Sequence, residues 1–152
     1  MKLRLLAAVA LITPLFLANS VKAGNQKDLQ KLLSTGECIQ CNLSGVNLSG
    51  VHLIGADLRG ANLQGANLTS ANLEGADLTG ANLAGANLTS AFVTNVNFKK
   101  ANLNSANLAH ATVHDSNVYQ ASMDNINITD ADIYNTGIGI GGEDGTMIPD
   151  WD

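Results

Sequence analysis

From Cys41 onward the sequence advances in steps of five residues. It reads CNLSG VNLSG VHLIG ADLRG ANLQG ANLTS ANLEG ADLTG ANLAG ANLTS and continues AFVTN VNFKK ANLNS ANLAH ATVHD SNVYQ ASMDN INITD ADIYN TGIGI, ending at Ile140 without an insertion. The third position of every step is apolar: Leu43 and its successors, then Val93, Phe98, Val113, Val118, Met123, Ile128, Ile133 and Ile138. The first position is small or apolar, the second is usually Asn or Asp, and the fourth and fifth are mostly polar. A period of five fits neither the 3.6 of a helix nor the 2 of a strand. Two inward positions separated by one outward position, then two outward residues that turn, describe a chain that rounds a corner every five residues. Four corners close a square, and each twenty-residue turn stacks on the next at about 4.8 Å.

The composition agrees with a repeat. Twenty Ala, twenty-one Leu, eighteen Asn and fifteen Gly dominate, with six aromatics and two Pro. An ordinary core draws on more varied side chains. Charged residues are only 14% of the chain, which argues against disorder. The formal charge of −5 argues against a nucleic-acid binder.

The steps resemble the pentapeptide-repeat family, whose motif is A-(D/N)-L-x-x. The resemblance covers residues 41–140 and implies an all-β fold. That fold is a right-handed quadrilateral β-helix of about five coils, with type II and type IV turns at its corners. Every third position is then expected to be buried. The inward columns are Leu43, Leu63, Leu83, Leu103, Met123; Leu48, Leu68, Leu88, Leu108, Ile128; Leu53, Leu73, Val93, Val113, Ile133; and Leu58, Leu78, Phe98, Val118, Ile138. Val46, Val51 and Ile126 replace the usual Ala near the ends, where a frayed coil needs filling.

The flanks read differently. Residues 1–23 carry Lys2 and Arg4, an apolar stretch from Leu5 to Ala18, and Val21-Lys22-Ala23 before Gly24. This is the grammar of a cleaved secretory signal. Its removal leaves five basic against thirteen acidic residues, a net −8. Residues 24–40 are expected to hold a short capping α-helix over Asn25–Gly36. Leu29, Leu32 and Leu33 form its apolar stripe, Asn25 its N-cap and Gly36 its stop. Residues 141–152 form a Gly-rich acidic tail, in which Met147, Ile148 and Trp151 are read as a partial lid, with a dimer contact as the competing reading. The tail resembles the short T-x-x-P-D endings of some secreted family members.

Candidate chemistry is sparse. Cys38 and Cys41 make a C-x-x-C at the junction before the repeats. Behind an export signal a structural disulfide is the leading reading, with a redox pair as its rival. A zinc site lacks a second ligand pair, and haem attachment lacks a His at position 42. His110, His114 and Asp115 have metal-like spacing only on a helix, and His52 lies three coils away; surface histidines are the simpler reading. Asp57 and Asp77 stack in one outward column above Asn97 and Asn117, read as solvated carboxylates without an acid or base partner. Five N-x-(S/T) sequons, at Asn42, Asn47, Asn67, Asn87 and Asn127, are read as repeat grammar.

These readings point to a non-enzymatic, exported solenoid without cofactor or metal, a structural or protein-interaction module of the periplasm, thylakoid lumen or extracellular space. Its expected partner is a protein or a repetitive surface, with no nucleic acid and no membrane insertion after cleavage. The candidate binding face carries Asn67, Asn87, Asn107 and Asn127 beside Thr69, Thr89 and Thr129. The alternative is a DNA mimic that binds gyrase, as some family members do. Seven acids and three bases over residues 41–140 make that charge pattern thin, and an exported protein does not meet gyrase.

Overall fold

A computed structural model describes residues 23–137. Residues 1–22 of the signal segment, Ile138 of the fourth inward column, and Met147, Ile148 and Trp151 of the proposed lid lie outside the described residues. The backbone winds in twenty-residue coils. Parallel bridges join each second-position residue to its equivalent twenty residues on, in four columns: 37-57-77-97-117, 42-62-82-102-122, 47-67-87-107-127 and 52-72-92-112-132. Only where the fourth of these columns reaches Thr112–His114 (β1) and Asp132–Tyr134 (β2) does pairing extend to a regular parallel two-strand ladder. Elsewhere successive sides are joined by a single bridge each.

Three backbone bonds per side hold successive coils together, one of them from the fifth-position N–H to the fourth-position carbonyl of the next coil, as Gly85 donates to Asn104 at 2.9 Å. A third-position N–H donates to the second-position carbonyl of the next coil, as Leu83 does to Asn102 at 2.7 Å. A second-position N–H donates back to the first-position carbonyl of the previous coil, as Asn82 does to Ala61 at 2.9 Å. Most corners are closed by a further bond, for example Ala86 N–H to the Leu83 carbonyl at 2.9 Å. The corner requires a positive φ at the fifth position. Gly meets this freely at Gly45 (φ 66), whereas Lys100 meets it at φ 59 with a Cβ in place.

The core is the Leu and Ala stack. Leu43, Leu48, Leu58, Leu63, Leu68, Leu73, Leu78, Leu83 and Leu88 are fully buried between rows of Ala. The expectation that every third position is buried holds as far as Val118 and then fails. Met123 and Ile133 are half-buried and Ile128 is 41% exposed. They belong to the last described coil, and among the described residues no further coil covers them.

The register also begins one step earlier than the motif suggests. Glu37 bridges Asp57, so residues 36–40 already form one side of a coil, with Cys38 buried in the third position. The helix, α1 (Ala23–Thr35), lies over this open end. Leu32 is fully buried and Leu29 packs on the core, but Leu33 is 55% exposed, so the stripe is narrower than expected. The helix starts at Ala23, which places Asn25 inside it rather than at its N-cap. Gly36 ends it, with φ 72 and its N–H on the Leu32 carbonyl at 2.8 Å. The cap is polar as well as apolar. The Asn42 N–H has no previous coil to donate to and instead meets Asp28 Oδ2 at 2.8 Å. Asp28→Ala should lower stability by about 1 kcal/mol and Asp28→Asn by less, because the amide oxygen still accepts; paired thermal melts check this order.

Candidate functional site

The sequence-derived sites fall on different parts of the rod. Cys38 and Cys41 are joined by a disulfide, with Cα atoms 5.2 Å apart. Cys38 occupies a third position under Leu58, and Cys41 a first position under Ala61, so both sulfurs lie in the core rather than in an accessible redox groove. The bond spans a corner that the Cys41 N–H and Cys38 carbonyl already close at 3.2 Å.

The Asn and Thr face has its polar groups satisfied from within. Thr69, Thr89 and Thr129 each donate their hydroxyl to the Asn two residues earlier, at 2.6, 2.6 and 2.7 Å. Asn67 donates to Asn47 at 3.1 Å, Asn127 to Asn107 at 2.9 Å, and Asn107 to the Thr89 hydroxyl at 3.0 Å. Thr69 and Thr89 are half-buried rather than simply outward. This face is knitted to itself, which is the bland explanation for its regularity.

Asp57 and Asp77 do have a partner. Arg59 grips Asp57 with two bonds, Nε to Oδ1 at 2.8 Å and Nη2 to Oδ2 at 2.6 Å, and its Nε lies 4.0 Å from Asp77 Oδ2. Both carboxylates stay at the surface without a catalytic acid or base, and Arg59, two residues on and on the same face, reaches back to both as a counter-charge. Its hydrogen bond holds the Asp57 carboxyl below the ordinary range, against the opposing effect of partial burial. The stabilisation from this pair is therefore present above about pH 3.9 and is lost as pH falls through the lowered pKa.

The histidines do not converge. His110 Nδ1 lies 3.8 Å from Asp130, while His114 Nε2 lies 3.0 Å from Asp132 at an angle that makes no hydrogen bond. The His114 ring meets Tyr134 edge-on, with centroids 6.0 Å apart. Among the described residues no three His, Cys, Asp or Glu side chains are grouped to hold a metal, and no helix is long and apolar enough to cross a membrane.

Two features escaped the sequence reading. The first is the third face, formed by residues 51–55, 71–75, 91–95, 111–115 and 131–135. Phe92 replaces the usual Asn in its second-position column and is 54% exposed. Ile54 and Tyr134, in the fourth-position column, are 60% and 67% exposed. No other face of the described rod carries this much exposed apolar surface. The second is Ser116, buried in a first position normally held by Ala. The corners after Val93 and Val113 lack the usual closing bond. Ser116 Oγ spans the first of them, accepting from the Val96 N–H at 3.1 Å and donating to the Val93 carbonyl at 2.7 Å. Thr136 repeats the device one coil on, donating to the Val113 carbonyl at 3.1 Å and accepting from the Ser116 N–H at 3.4 Å. The signal was a hydroxyl in a first position twenty residues after Val96.

The family described as pentapeptide repeats matches residues 41–80 and 81–118, in eight copies. Among solved structures, the chain is similar to the pentapeptide-repeat protein Rfr23 from the cyanobacterium Cyanothece, at 30% identity over 73% of this chain and 97% of that one, with a TM-score of 0.41. A pentapeptide-repeat protein from Nostoc is 28% identical over 67% of this chain and 93% of its own, with a TM-score of 0.38. One from the thylakoid lumen of Arabidopsis thaliana is 31% identical over 72% and 70%, with a TM-score of 0.28. No curated protein matches.

Proposed function

The chain belongs to the pentapeptide-repeat family, with its right-handed β-helix, and from that premise we propose that it is an exported, non-enzymatic module that works through a flat outer face as a binding or structural element. The observation that carries this reading is the exposure of Ile54, Phe92 and Tyr134 on one flat side of the rod, where the fourth face exposes Ile39 and Tyr119 and the second Ile128. Phe92 stands where the motif has Asn, keeps its backbone bridges to Asn72 and Thr112, and adds outward apolar surface. An exposed aromatic at the middle of a rigid flat face supports a contact there, since aromatic side chains are enriched at interfaces. The DNA-mimic alternative is less well supported by the exterior, where Arg59 offsets Asp57 and most of the second-position column is Asn.

Export is supported by the sequence of residues 1–23 and fits the buried disulfide, since exported compartments keep such bonds oxidised. Periplasm, thylakoid lumen and extracellular space all satisfy this reading. Protein recovered from its native compartment should show no cysteine open to alkylation until it is reduced. Reduction should cost about 2 kcal/mol in the chain-entropy model for so short a loop. Two alkylated thiols in unreduced protein would contradict the assignment.

The binding role is tested by affinity capture from the exported fraction. Phe92→Lys should lose the captured partner. A Thr69→Lys, Thr89→Lys double variant should keep it, at the expense of two hydroxyl bonds that stabilise the fold by about 1 kcal/mol each. The opposite result would return the function to the Asn and Thr face. A partner held equally by all three proteins would contradict a role for either face.

A further inference from the structure

The third face is complementary to itself. Consider a second copy laid against it face to face and antiparallel, related by a two-fold axis that runs along the strand direction through the middle coil. Lateral position is preserved and the order of coils is reversed, so a second-position residue meets the second-position residue of the mirror coil. Phe92 then lies on the axis and meets Phe92 of the other copy. His52 faces Asp132, Glu74 faces His114, Ile54 faces Tyr134, and Asn72 faces Thr112. Asp132 meets the exposed His52, Glu74 lies over the side of the His114 ring, whose Nε2 is turned inward toward Asp132 of its own chain, and each exposed apolar residue meets another. At the flanking corners Asp115 meets Gly75, Asp130 meets Gly50, and His110 meets Ser70. No like charges are opposed anywhere on the face.

The fourth face fails the same operation. Centred on its middle side, residues 76–80, it would set Arg59 against Lys99 and Asp77 against Asp77. The Asn and Thr face raises no charge conflict but offers no apolar anchor at its centre. We propose that the third face is a homodimer contact, an isologous antiparallel pairing of two rods centred on Phe92. This rests on the reading of the protein as an interaction module and names its partner as a second copy of the chain.

The contact spans five coils at about 4.8 Å each and one short strand in width. That is below the roughly 1,200 Å² at which stable complexes begin. The association is therefore weak and reversible, with a dissociation constant in the range of about 10 µM to 1 mM. Its specificity comes from the aromatic anchor and from the two symmetry-related pairings of His52 with Asp132.

Sedimentation equilibrium of the purified protein tests it. The wild-type chain should show a reversible monomer–dimer equilibrium. Phe92→Lys, which sets two ammonium groups against each other on the axis, should raise the dissociation constant by at least about tenfold. His52→Asp and Asp132→His should each weaken the dimer by opposing like groups, and the two together should restore it to within about threefold of wild type. Each variant must melt as a folded rod, since all three positions are exposed. A wild-type chain that stays monomeric to about 1 mM, a dimer indifferent to Phe92→Lys, or a double exchange that fails to restore association would overturn the proposal. A monomer that dimerises only when residues 138–152 are removed would assign the face to that segment and also overturn it. None of these outcomes touches capture of a different protein, which tests the broader reading separately.

Discussion

Leu83→Ala is expected to lower stability by about 2–5 kcal/mol. Leu83 is fully buried in the middle coil, with Leu63 below and Leu103 above in the same column. Its neighbours are Ala rows whose side chains cannot extend into a vacated volume, and the backbone is pinned by ladder bonds on both sides, Leu83 N–H to Asn102 at 2.7 Å and Leu63 N–H to Asn82 at 2.7 Å. The cavity therefore stays open. Because each coil is supported only by its neighbours, the defect also separates two halves of the stack. Gln64→Ala, on the same face but pointing outward, should change stability by no more than about 0.5 kcal/mol. Thermal melts of the two variants check the contrast.

Ser116→Val is expected to cost about 2–4 kcal/mol, the second large effect, since it strands one donor and one acceptor. Valine has nearly the shape of threonine but lacks the hydroxyl, so the Val96 N–H and the Val93 carbonyl lose their shared partner at a buried corner. Ser116→Thr keeps the hydroxyl, as Thr136 does in the next coil, and should recover most of the loss. Ordinary packing effects would make the two variants similar. Chemical denaturation that separates them clearly, with Thr the more stable, supports the role of the hydroxyl.

The inward columns were legible because burial at a fixed spacing leaves a strict mark on composition. Ser116 was less legible because Ser is small enough to pass for Ala, and its role depends on a carbonyl twenty-three residues away. The first side of the coil, residues 36–40, was missed since Gly36, Glu37 and Cys38 do not spell the motif, although Cys38 is as buried as any Leu. Leu33 looked like part of a helical stripe, but the open end of the solenoid is narrow and Leu32 with Leu29 already cover it. Of the candidate sites, the regular Asn and Thr column drew notice by its order, and that order is largely internal hydrogen bonding. The face with exposed apolar surface drew none, because Ile54, Phe92 and Tyr134 are distant in sequence and come onto one face only when the chain is wound at twenty residues per turn.

That twenty-residue winding is the claim on which every column, cap and face depends. Gln64 and Ala84 occupy equivalent fourth positions on adjacent coils, where the Gly65 N–H reaches the Ala84 carbonyl at 3.0 Å. Gln64 and Thr79 are one side of the square short of a full coil. Paired cysteines at 64 and 84 should lie about 5 Å apart, within the range a disulfide bridges, and those at 64 and 79 should not. Mild oxidation followed by peptide mapping should find the 64–84 crosslink and leave 64 and 79 free. A 64–79 crosslink that forms as readily as 64–84 would contradict the fold on which this account is built.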